Sequence, residues 1–244
     1  MIRKKLKNRK IVVSANLALA LAGLLLRLLQ AGTDSRVALI LLILLSAAAV
    51  LLAAVVALRL KPRRGFAANN RPSMAQLMEL LAALLFLVVG ISRFLAMIGL
   101  NRWLIGFGGI VCALCLGAIP VLVLMRKRPP LFLYAAAALS LILKLIPEFR
   151  FWSIDPNVSD YCFRLFAMLA LLCACFHRGE FVLESGKRRL AVFWCSSGIV
   201  FCGIAVADGP WSARFFYLAA LLYLAASLWT LMSPPRKRRQ PRPT

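Results

Sequence analysis

The sequence predicts an all-α, polytopic integral membrane protein, a bundle of about eight transmembrane helices arranged as four antiparallel hairpins. Three observations carry this expectation. The 244 residues are 62% hydrophobic with a mean hydropathy of +0.85, whereas a soluble domain is about half apolar. The apolar residues fall into long runs separated by short polar connectors. Every second connector is loaded with Lys and Arg, the signature of loops kept in the cytoplasm.

The elements follow in order. Residues 1–10 (six of them Lys or Arg) form a basic cytoplasmic segment, and the transmembrane domain is expected to span 11–232. The first run, Ile11–Gln30, differs from a signal peptide: Arg27 interrupts it and no small-x-small cleavage site follows. Val37–Leu58 is the second. The third, Gln76–Met97, carries Glu79 about one and a half turns beyond Pro72-Ser73, and Gly90 and Arg93 nearer its other end. The fourth, Trp103–Met125, opens with Gly106-Phe-Gly-Gly109, small residues that let helices approach closely, and contains Pro120.

Leu131–Ile146, the fifth, is bounded by Pro129-Pro130 and Pro147 and reaches only about 24 Å at the α-helical rise. It either recruits interfacial Phe149 and Phe151 or crosses where the bilayer is thinned. The sixth, Tyr161–His177, is also short and holds Arg164 near its outer end. Leu190–Ala207 and Ser212–Met232 complete the set, and the Pro- and Arg-rich tail 233–244 is expected to be disordered on the cytoplasmic surface.

Eight crossings put both termini in the cytoplasm of, most simply, a prokaryotic inner membrane. The external connectors then hold Asp34, Glu148, Asp155, Asp160 and Asp208, with Trp103, Trp152 and Trp211 as interfacial anchors. The net charge of +23 would suit a polyanion partner, but most of the 31 basic residues lie in the cytoplasmic segments. Orientation alone therefore accounts for the excess, and nucleic acid is not an expected partner. The expected partners are the lipid bilayer, with anionic headgroups at the cytoplasmic loops, and a membrane-protein partner or a second copy of the chain.

No catalytic residues, cofactor or metal site are assigned. The seven cysteines all lie in apolar runs, where packing is their role. Cys112-Ala-Leu-Cys115 has no second pair and no nearby His. Hydrolase elbow, zinc-protease and phosphate-loop motifs are absent, so an enzyme is not expected.

The candidate chemistry lies in the ionisable residues that orientation does not explain, since charge inside a bilayer is costly. Arg27, Arg93, Lys144 and Arg164 lie near the outer ends of their runs, and Asp155, Asp160 and Asp208 occupy external connectors at the same level. Together they suggest an outward-facing charged vestibule, whose cations suit a carboxylate or phosphate. Snorkelling to the headgroups, or structural pairing, is the plainer role for the same cations. Glu79 is expected at the cytoplasmic interface, paired with Arg71 or another loop cation, and Arg178 in the loop that follows His177. The functional expectation is a small-solute transporter-like or ligand-binding protein, with an anionic ligand the best match. The alternative is a non-catalytic sensor, scaffold or accessory subunit.

Overall fold

In hydrocarbon a backbone must satisfy its own hydrogen bonds, and runs rich in Leu, Ala, Ile and Val do so as helices. The computed structural model describes residues 2–33, 36–61, 74–95, 100–152 and 158–233. These form eight helices and no strand: α1 (Ile2–Thr33), α2 (Arg36–Arg59), α3 (Met74–Leu95), α4 (Leu100–Leu124), α5 (Leu131–Trp152), α6 (Val158–Glu180), α7 (Arg188–Ala205) and α8 (Trp211–Leu231). Each contains a segment of 18 to 24 residues long and apolar enough to cross a membrane.

Helices α3 to α8 pack in a closed circuit, each on its successor and α8 back on α3. Outside the circuit, α1 and α2 pack on each other and on α7. Helix α7 therefore meets α1, α2, α6 and α8, and its composition permits it. Cys195, Ser196, Ser197, Gly198, Cys202 and Gly203 present little bulk, and all are buried. A Cβ placed on Gly203 would come within 2.6 Å of the Ala20 Cβ, so the α1 and α7 backbones lie directly against each other there. Gly90 gives α3 the same closeness to α4, 2.9 Å from the Ile110 nitrogen to a Cβ at that position. All seven cysteines are free thiols within helices, and Cys112, Cys175, Cys195 and Cys202 are buried.

The structure corrects three boundaries. Pro147 does not end the fifth helix: α5 continues through it to Trp152, giving a 20-residue apolar span, Leu131–Arg150. The proline costs one backbone hydrogen bond, and the Lys144–Glu148 ion pair (2.8 Å) bridges the turn that contains it. Helix α6 likewise runs past His177 and Arg178 to Glu180, so Arg178 is a helical residue, not a loop cation. Finally, α1 is helical from Ile2, so the basic segment 1–10 continues into the first helix. Residues 234–244 of the tail lie outside the described residues.

Candidate functional site: two polar layers

Two polar layers lie inside the circuit, and α3, α6 and α8 contribute to both. On α3, Glu79 and Arg93 are fourteen residues apart, as are Arg164 and Arg178 on α6. Fourteen residues make nearly four turns, which returns a side chain to the same helix face about 21 Å along the axis. Each helix thus carries one charge at either end of a single inward stripe.

At the first layer, the Lys144 end, the C-terminal parts of α3 and α5 meet the N-terminal part of α8. Lys144 Nζ donates to Glu148 Oε1 at 2.8 Å, and Arg93 Nη1 reaches the same oxygen at 3.5 Å. Arg93 Nε also donates to Ser212 Oγ at 3.3 Å. Two cations therefore share one carboxylate oxygen. Lys144 is the deeper: its ammonium lies 3.7 Å from the centre of the Phe216 ring and 3.8 Å from Met168 Sδ. Its side chain is 7% exposed, against 22% for Arg93 and 17% for Glu148. Arg164 rests against Gly209 and lies within electrostatic range of Glu148.

Arg27 is buried at the same end and is paired with Asp208. Its Nε donates to Asp208 Oδ1 at 2.8 Å and its Nη1 to Gln30 Oε1 at 2.8 Å, which ties α1 to the segment after α7. The predicted vestibule residues thus divide. Arg93 and Lys144 converge with Arg164 beside them, Arg27 is paired with Asp208, and Asp155 and the Asp160 side chain lie outside the described residues. Snorkelling does not describe Arg27 or Lys144, both buried against protein. Glu148, the acid that holds the cluster together, was missing from the predicted set. The sequence itself places Glu148 one helical turn beyond Lys144, and that four-residue step is its signal.

At the Glu79 end, the N-terminal part of α3 meets the C-terminal parts of α6 and α8. Arg178 Nη1 and Nη2 donate to Glu79 Oε1 and Oε2 at 2.8 and 3.3 Å, the parallel two-bond geometry that makes arginine–carboxylate pairs strong. Ser227 Oγ accepts from Arg178 Nη1 at 2.7 Å, and the guanidinium faces the Tyr223 ring at 5.3 Å. Glu79 and Arg178 side chains are 0% and 1% exposed, so both are enclosed by protein. Arg71, the other expected partner of Glu79, lies outside the described residues. Beneath this layer, Arg188 Nε donates to the Leu231 carbonyl at 2.8 Å and Arg189 Nε to that of Leu60 at 2.9 Å. These arginines satisfy carbonyls left open at the ends of α8 and α2.

Apolar packing separates the layers: Phe86, Leu116, Leu141, Met168 and Phe216 are buried, and the Phe86 and Phe216 rings meet edge to face at 5.1 Å. Among the described residues, no three His, Cys, Asp or Glu side chains are placed to hold a metal ion. Fold and site together define an eight-helix protein with apolar helices of membrane-crossing length and two internal charged layers. Compared with family profiles, curated proteins and solved structures, the chain matches none.

Proposed function

We propose that the chain is a multi-pass membrane protein, four antiparallel hairpins with both termini cytoplasmic, that binds and moves a small anionic solute at the Lys144 end. The basic connectors support an orientation in which that end faces outward. The observation that carries the solute reading is the sharing of one Glu148 oxygen by Arg93 and Lys144, two cations to one carboxylate among the described residues in contact there.

The geometry suggests how an anion would enter. Arg93 is the more exposed cation, and its contacts to Glu148 and Ser212 (3.5 and 3.3 Å) are long for charged hydrogen bonds. An incoming carboxylate or phosphate can take the guanidinium in two-bond geometry while Lys144 keeps Glu148. The apolar layer beneath would then hold the anion at this end until the helices rearrange. That same layer favours the second reading, a static scaffold or accessory subunit, in which the charges serve only to tie helices together.

Thermal unfolding of the purified protein in detergent, with succinate or inorganic phosphate added, distinguishes the two. Solute binding predicts that one of these anions raises the midpoint of the wild type and that Arg93→Gln abolishes the response. The control Arg36→Gln, at the exposed start of α2, should keep it. An equal response in Arg93→Gln, or none in the wild type to either anion, would return the cluster to a structural role.

A further inference from the structure

A groove of about 380 Å³ runs along the outside of the circuit between α3 and α4. Its floor is made of small residues, Ala83, Ala113 and Gly117, and leucines such as Leu84 and Leu87 form its walls. We propose that this groove binds one acyl chain of an anionic phospholipid whose phosphate rests on Arg126 and Lys127. The inference requires that the chain span a membrane and is independent of the solute reading.

Three observations converge on that ligand. The first is shape. Along α4 the lining runs from Ala113 to Leu122, about 13 Å at the helical rise and so roughly half of a ~30 Å hydrocarbon core. The trough thus matches part of a single hydrocarbon chain within one leaflet.

The second is charge. Helix α4 stops two residues beyond the groove lining, where the Lys127 N–H donates to the Leu122 carbonyl at 2.9 Å and the Arg126 N–H to that of Val123 at 3.0 Å. These bonds hold Arg126 and Lys127 four and five residues past Leu122, the last lining residue of α4, and both are exposed and in no ion pair with a described residue. Their neighbour Arg128, by contrast, is paired with Glu184 at 3.3 Å.

The third is backbone conformation. Arg126 has φ +59°, the left-handed region that favours glycine at a helix end. An arginine held there accepts a steric cost that glycine would avoid, and the tight turn keeps Arg126 within four residues of Leu122, the last lining residue of α4.

Native mass spectrometry of the full chain in detergent, with phosphatidylglycerol and phosphatidylcholine of the same acyl length, tests the site. Wild type should retain phosphatidylglycerol about tenfold more strongly, as two basic residues near a headgroup allow. The exposed pair Arg126→Gln/Lys127→Gln should fold normally and lose that preference, while Gly117→Leu should weaken retention of both lipids. Free inorganic phosphate should not displace the lipid, since the acyl chain supplies part of the binding. Equal retention of the two lipids by wild type, an unchanged preference in the double variant, or displacement by phosphate alone would overturn the proposal.

Discussion

The two ends of the circuit use the same helices and the same kinds of residue to opposite effect. At the Glu79 end, one arginine meets one carboxylate through two parallel hydrogen bonds, with a serine completing the set and no exposed surface left. At the Lys144 end, two cations share a single carboxylate oxygen, one contact is long, and Arg93 and Glu148 stay partly open. A balanced, fully desolvated pair holds helices together and offers nothing to a ligand. An unbalanced and partly open one retains binding capacity. The comparison predicts that variants at the first end disturb stability and those at the second disturb binding.

The largest effect should come from Arg178→Leu. It leaves the Glu79 carboxylate buried between α3, α6 and α8 without its guanidinium, and breaking a buried pair from one side costs about 3–5 kcal/mol. Removing both charges in Glu79→Leu/Arg178→Leu should recover most of that loss, because no uncompensated charge remains. Denaturant unfolding in mixed micelles measures both. If the single and double variants lose the same stability, the pair is not the source of the effect.

Gly203→Val should come next and should act only at the periphery. Its side chain would have to occupy the space held by the Ala20 backbone and methyl group, pushing α1 away from α7 and loosening the nearby Arg27–Asp208 pair. Overpacking of this kind costs about 1–3 kcal/mol. Helices α3 to α8 close on themselves without α1, so anion binding at Arg93 should survive. Loss of both stability and anion response in this variant would mean that α1 and the circuit act as one unit.

Much of this arrangement was legible in the sequence, and the unread part has definite physical causes. Apolar run length gives the helices, because crossing hydrocarbon needs about 20 residues whatever lies around them. The cations Arg93 and Lys144 stood out because orientation does not explain them. Arg178 did not: beside His177 and ahead of Lys187-Arg-Arg189, it looked like one more loop cation. Only the fourteen-residue repeat with Arg164 marked it as inward-facing, and that repeat acquires meaning once α6 is known to extend to Glu180. The pairing of Arg27 with Asp208 joins residues far apart in sequence, and helical periodicity carries no information about which helix becomes whose neighbour.

The smallest change in stability should accompany the sharpest change in function, and the two cations of the Lys144 end allow this to be examined within one cluster. Arg93→Gln gives up two long contacts at a partly exposed position, and a glutamine amide can still reach Ser212, so the expected loss is about 1 kcal/mol or less. Lys144→Met should cost more, because Lys144 holds the short bond to Glu148 and its ammonium lies over the Phe216 ring. With Lys144 gone, Arg93 is the cation that remains within bonding distance of Glu148 among the described residues and is drawn to it, leaving less positive charge for an anion. Both variants should therefore lose the anion-dependent rise in midpoint, Arg93→Gln because the receiving group is absent and Lys144→Met because it is occupied. Restoring the response in Lys144→Met by adding Glu148→Gln, which frees Arg93, would establish that the charge imbalance itself is what binds.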